Sequence, residues 1–216
     1  MKTFGLLKKR EVWVPSWKGW MVLFFLFILI LAAIIMGIHP FLSMHKPVDA
    51  KVLIVDDWLP DGAVEKTQRE FNENGYQLLI VTGGQPLAGW NATKFASSSE
   101  LLMAKMIERG FDQEKIVSVP SPVVDQDRTY TAAVAVQKWL QESGYQFTSM
   151  NIISIGVHSR RSFLLFERAF ENSDFQIGVI SLSNDSYSAK RWWNSSVGTK
   201  TVLAETIAYI YTKLFF

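Results

Sequence analysis

The chain has 216 residues, 22 Lys and Arg against 20 Asp and Glu, and no cysteine. The missing thiols exclude a disulfide framework, a zinc–thiolate site, an iron–sulfur cluster and a thiol nucleophile. Five of the basic residues and one of the acidic ones precede residue 39, so the remainder carries 17 positive and 19 negative charges, a net of −2 with no basic stripe to suit nucleic acid.

The first element in chain order is an apolar run. From Trp20 to Ile38 no residue is charged or strongly polar, and at 1.5 Å per residue such a helix nearly spans the roughly 30 Å hydrocarbon layer of a bilayer. A soluble helix of that length keeps a polar face. Trp13, Trp17 and Trp20 suit an interfacial aromatic belt, and Lys2, Lys8, Lys9, Arg10 and Lys18 on the leading side predict a cytoplasmic N-terminus. The run is too long for a signal peptide and lacks a small-x-small cleavage site. The expected organisation is a basic cytoplasmic tail over 1–19, a transmembrane helix over 20–38, a linker over 39–50 and an extracytoplasmic α/β domain over 51–216. On that basis the protein sits in the plasma (inner) membrane with its domain in the periplasmic or extracytoplasmic space.

From Lys51 onward, short β-branched runs alternate with amphipathic segments, the pattern of a parallel sheet covered by helices. Strands are predicted at Val52 to Val55, Leu78 to Thr82, Ile116 to Val119, Asn151 to Ile155 and Ile177 to Ser181. Helices are predicted at Asp61 to Asn74, Ser97 to Arg109, Thr129 to Ser143, Arg160 to Glu171 and Thr199 to Leu214. Gly75, Gly110 and Gly144 fall just past helix ends, where a left-handed residue is wanted. The fold class is α/β: a doubly wound, mostly parallel five-stranded sheet flanked by helices and preceded by one transmembrane helix. The last helix is apolar, but Lys200, Glu205, Thr206 and Lys213 favour core packing over a second span.

Ligands of open parallel sheets bind beyond the carboxyl ends of the strands. Asp56 and Asp57 follow the first strand, Thr82, Gly83, Gly84 and Gln85 the second, Asp125 to Thr129 the third, and His158, Arg160 and Arg161 the fourth. Gly83 and Gly84 suit an anion-binding backbone nest or a plain tight turn. Ser97 and Glu100 form a capping box that also leaves Glu100 near the sheet edge as a candidate proton acceptor. Arg128 opposes the helix dipole and so calls for an acidic partner or an anionic ligand. His158 beside two arginines suits phosphate binding or proton transfer. There is no G-x-G-x-x-G and no Walker lysine, so no cofactor is named by motif.

Read together, Thr82-Gly83-Gly84, Ser99-Glu100, Gly110 with Ile116, Arg128-Thr129 and His158-x-x-Arg161 resemble the SanA / ElyC / YdcF family over about residues 51–180. The chain departs from that pattern at Asp56-Asp57-Trp58-Leu59-Pro60, where a glycine-rich turn is usual, and at Ala132, where an asparagine is usual. The resemblance implies a Rossmann-like domain tethered by an N-terminal helix and linked to cell-envelope biogenesis, in a divergent branch. One soluble relative is associated with S-adenosylmethionine, which is scarce outside the cytoplasm.

The leading expectation is an envelope factor that binds a small anionic or glycan-linked ligand, lipid-linked glycans included. Its ligand contacts would be Asp57, Thr82, Gly83, Gly84, Ser99, Arg128, Thr129 and Arg161, with Glu100 or His158 moving a proton if there is catalysis. One alternative is a metal-dependent transferase or hydrolase acting on envelope sugars through Asp56 and Asp57. Another is a non-catalytic scaffold presenting Trp90, Trp192 and Trp193. Convergence of Arg128, His158 and Glu100 on one pocket is the feature that separates the first reading from the others.

Overall fold

A computed structural model of the chain describes residues 12–216 except Gln85 and Trp90. Lys2, Lys8, Lys9 and Arg10 of the basic tail, Gln85 of the second strand's loop and Trp90 of the scaffold reading therefore lie outside the described residues.

Two compact units form, one up to Gly37 and one from Ile38 onward. The first holds most of helix α1, Trp17–Leu42, which is 26 residues long and has a mean hydropathy of 3.2 over its most apolar stretch. None of that stretch is buried, unlike the core helix of a soluble protein. By length and composition it is able to cross a membrane.

In the second unit, strands β1 Val52–Asp56, β2 Leu78–Gly83, β3 Ile116–Pro120, β4 Ser149–Ile155 and β5 Gln176–Leu182 form one sheet. Its order is β3-β2-β1-β4-β5 and every strand pair is parallel. The doubly wound Rossmann-like arrangement expected from the alternation is thus present, with its switch in strand order between β1 and β4. The helices are α2 Asp61–Glu73, α3 Asn91–Lys94, α4 Ser98–Glu108, α5 Arg128–Glu142, α6 Ser159–Ala169 and α7 Ser196–Phe215.

The two-residue period of β1 explains the layers. Leu53 and Val55 face one way and pack with Val64 and Phe71 of α2 and Leu102 and Met106 of α4. Val52 and Ile54 face the other way, against Ala133 and Val136 of α5 and Phe166 of α6. A strand covered on both sides must be apolar throughout, and β1 is. Gly75, Gly110 and Gly144 adopt positive φ at helix ends, as expected.

The segment from 39 to 50, expected as a linker, is more than a spacer. Helix α1 runs through Pro40 to Leu42, which is fully buried. Lys46 then pairs with Val179 of β5, and the Asn151 side chain clamps Val48 by accepting from its N–H at 2.9 Å and donating to its carbonyl at 2.8 Å. A buried amide that satisfies both ends of an extended segment fixes it in place.

Helix α7 differs from its expected place in the core. It packs on α6 and on the turn before it, and only Gly198, Val202 and Thr212 are buried. With the sheet already covered on both faces by α2, α4, α5 and α6, no central position is left for a further helix.

Candidate functional site

At the carboxyl ends of the strands, beside the switch point, lies a cavity of about 440 Å³. Its walls come from the ends of β1 and β2, the start of α5, the turn after β4, the loop after β5 and one edge of α7. Of the residues expected there, Asp57, Gly83, Gly84, Arg128, Thr129, His158 and Arg161 all line it.

At the end of β1, the Asp57 N–H donates to Asp56 Oδ1 at 2.8 Å and the Ser98 hydroxyl donates to Asp57 Oδ2. Desolvation of its carboxyl, together with the neighbouring charge and hydrogen bond of Asp57, raises the pKa of Asp56 to about 8. Asp56 therefore keeps its proton at neutral pH. An acid whose pKa is higher in the folded chain than its usual 3.8 gives stability that is complete below that value and lost as pH rises through about 8. Asp56→Asn is expected to be more stable than the parent at pH 9, by about 2 kcal/mol or roughly 4–8 °C in Tm, and no more stable at pH 5. Melting curves of both proteins across that range check it, and parallel pH profiles would refute it.

The two glycines at the end of β2 leave room for this carboxylate pair and for the neighbouring chain. Gly83 has φ +135°, and a Cβ there would overlap the Asp57 carboxylate. A Cβ on Gly84 would overlap the carbonyl of Ser121. The Gly-Gly pair thus makes room for Asp57 and for the chain leaving β3, the plainer of its two expected roles.

On the α5 side, Asp127 precedes the helix with φ 55° and ψ 31°, and its side chain makes no cap. It is the one non-glycine residue with positive φ among the described residues. Aspartate tolerates that conformation better than most residues, and such outliers cluster at binding sites. Arg128 forms no ion pair with any described residue.

The fourth-strand turn carries the tightest cluster. Glu205 of α7 accepts from His158 Nδ1 at 2.9 Å, from Arg161 Nη2 at 3.1 Å and from Arg161 Nε at 2.9 Å. Burial acts to raise the Glu205 pKa, but the hydrogen bonds and charges of His158 and Arg161 outweigh it and hold it at about 2. The carboxylate is therefore ionised and can only accept, and the Arg161 Nη2–H, 2.9 Å from the same His158 Nδ1, can only donate, so the three side chains form one charge-assisted cluster. His158 Nε2 is buried without a hydrogen-bond partner, and Trp58 meets the imidazole edge-to-face at 5.0 Å.

Three expected residues stand elsewhere. Glu100 is held as a capping box: its N–H donates to Ser97 Oγ at 3.1 Å and its Oε2 accepts from the Ala96 N–H at 2.8 Å. Its carboxylate belongs to the helix end, so Arg128 and His158 converge on the cavity without it, and the three-residue convergence expected of the envelope-factor reading is not met at Glu100. Ser99, in the first turn of α4, is buried and its hydroxyl accepts from the Ser118 hydroxyl at 2.9 Å. Thr82 lies under the cavity floor with its hydroxyl buried and unpartnered.

Arg161, expected to neutralise an anion, is instead committed to Glu205. Of the scaffold tryptophans, Trp192 is buried and Trp193 exposed. No group of three or more His, Asp or Glu side chains among the described residues is placed to hold a metal ion.

Sequence reasoning passed over Glu205, Asn184, Thr201 and Trp58. The signal for Glu205 was present, since a lone carboxylate on an apolar helix needs a partner, but it read as evidence against a second span. Asn184 follows β5, where the strand-end rule also applies.

No family model and no curated protein sequence matches the chain. Among solved structures, the NADPH-bound carbonyl reductase from chicken fatty liver is similar with a TM-score of 0.35 and 17% identity. The match covers 63% of this chain and 52% of the reductase, about half its length. A likeness at that level assigns neither cofactor nor reaction.

Proposed function

We propose that the protein is a membrane-anchored cell-envelope biogenesis factor of a divergent SanA / ElyC / YdcF branch, and that its cavity binds the hydroxyl-rich head of a glycan-linked, lipid-borne ligand. In this reading α1 spans the plasma membrane with the basic tail in the cytoplasm and the α/β domain on the periplasmic or extracytoplasmic side. The observation that carries it is the make-up of the cavity at the sheet's carboxyl edge. Asp57, Asp125 and Asp127 line it beside Arg128, while Arg161, the other arginine of the lining, is tied to Glu205. Carboxylates accept from sugar hydroxyls, whereas a ligand of high negative charge would meet repulsion. This favours the glycan half of the expected ligand class over a simple anion.

Chemically, His158 is the group able to take a proton: its Nδ1 is held by Glu205 and its Nε2 is buried beside Trp58, so a ligand hydroxyl reaches Nε2 only once the side chains over it move aside, and the imidazolium then formed is stabilised by the ionised carboxylate. Asp56, which retains its proton, is the complementary acid. Arg128 remains to contact a phosphate or carboxylate at one end of the ligand.

The test is the thermal shift of the full chain in detergent with polyprenyl-phosphate sugar analogues, free oligosaccharides and inorganic phosphate, repeated on Arg128→Ala and His158→Ala. A shift produced by the glycan probes, and lost or reduced at least about tenfold in affinity in both variants, is expected. A response to phosphate alone, or one unchanged in both variants, would overturn the reading.

A further inference from the structure

The outer face of α7 is an apolar stripe. Leu203, Ile207, Ile210, Tyr211, Leu214 and Phe215 recur at helical spacing, and Ile207 and Leu214 are 69% and 72% exposed. From Leu203 to Leu214 the stripe runs for about 17 Å at 1.5 Å per residue. Contiguous exposed apolar surface of this kind marks an interaction site on a folded domain. The helix keeps its charges off this face: Thr201 and Glu205 turn into the cavity wall, and Lys200 lies one turn before the stripe begins at Leu203.

What covers the stripe follows from where α7 is attached. The last turn of α1, from Ile38 to Leu42, belongs to the α/β unit. Its terminal carbonyls are capped from α6, where the Arg160 Nε–H donates to Phe41 O and the Ser159 hydroxyl donates to Leu42 O at 3.3 Å. The Arg160 guanidinium lies 4.0 Å from the Phe41 ring centre, and Tyr209 of α7 meets the same ring edge-on at 5.3 Å. Phe41 is three residues beyond the apolar run that ends at Ile38. Tyr209 thus seats the middle of α7 against the last turn of α1, three residues past the apolar run, with the stripe on the other side of the same helix.

We propose that this face of α7 lies in the interfacial layer of the bilayer that α1 crosses, giving the domain a second, lateral membrane contact. The proposal rests on the reading of α1 as a membrane span. Aliphatic side chains on one face with aromatic tyrosine and phenylalanine beside them, and flanking lysines, Lys200 and Lys213, long enough to reach the headgroups, are the composition of an interfacial helix. The contact has a functional consequence. Because Thr201 and Glu205 on the adjoining edge of α7 wall the cavity, the site lies about one helix diameter from lipid, suited to a headgroup whose chain stays in the membrane.

The absence of native cysteine makes the test direct. Single changes Leu203→Cys, Ile207→Cys, Ile210→Cys and Leu214→Cys are made in the full chain, spin-labelled and reconstituted in phosphatidylethanolamine and phosphatidylglycerol vesicles. Accessibility to oxygen, which partitions into lipid, is compared with accessibility to a water-soluble nickel chelate. Leu29→Cys in α1 and Lys138→Cys on α5 serve as the lipid and water references.

A several-fold higher oxygen-to-nickel ratio at the four stripe positions than at Lys138→Cys is the expected result. Water-like stripe positions with a lipid-like Leu29→Cys would overturn the α7 contact and leave the anchor standing. A water-like Leu29→Cys would overturn the anchor itself. Stripe labels shielded from both reagents and coupled between copies would overturn the lipid contact in favour of a second chain.

Discussion

Glu205→Ala is expected to destabilise the α/β unit by about 3–5 kcal/mol, because it leaves the half-buried Arg161 and His158 side chains without their shared acceptor. The Glu205 and Arg161 side chains are only 17% and 20% exposed, so water replaces the lost partner poorly. Glu205→Gln keeps the shape and one acceptor and is expected to lose less. The same cluster sets an acid limit. The Glu205 pKa is about 2 in the folded chain against its usual 4.5, so its contribution is complete above about pH 4.5 and disappears as pH falls toward 2. Denaturant unfolding followed by tryptophan fluorescence at pH 7 and pH 3 measures both effects. A loss in Glu205→Ala as large at pH 3 as at pH 7 would contradict the assignment, since protonation should already have removed most of the difference.

Gly83→Ala is the second large effect. At φ +135° a Cβ is strained whatever space surrounds it, which costs about 1–3 kcal/mol. Here it also collides with the Asp57 carboxylate, which must leave its hydrogen bond from Ser98. A loss of about 3 kcal/mol or more is expected, together with loss of any ligand response in the cavity. Gly89→Ala is the control, since Gly89 also has positive φ, +59°, but its Cβ would meet open space. Equal losses in the two variants would show that backbone conformation alone matters and that Asp57 does not depend on Gly83. Comparing unfolding midpoints decides between them.

The elements of the fold were legible because local patterns are sufficient for them. Continuous apolarity in β1 and the other central strands and the 3.6-residue period of α2 and α5 each follow from which faces must be buried. The Ser97 cap was legible for a similar reason, since it satisfies backbone groups within four residues. The strand-end rule also located most of the cavity, including Arg128, Thr129 and His158.

What stayed hidden depends on partners distant in the chain. Glu100 and Glu205 are both single glutamates at helical positions, yet Glu100 turns back on its own helix start while Glu205 reaches His158, 47 residues away. Arg161 read as a free cation until Glu205 was placed opposite it. Gly83 and Gly84 suited an anion nest as well as a tight turn because the Asp57 carboxylate that occupies the space at Gly83 is 26 residues earlier.

By itself, the sequence determined an α/β unit built on a doubly wound sheet, an apolar helix long enough to cross a bilayer, and the strand ends at which polar residues gather. Those features rest on hydrophobic period and turn chemistry, which act over a few residues. Tertiary structure alone decided which carboxylate meets His158, which arginine is left for a ligand, and which face of α7 is uncovered. Those outcomes depend on the strand order β3-β2-β1-β4-β5 and on α7 packing against α6, which bring together groups that no local pattern relates.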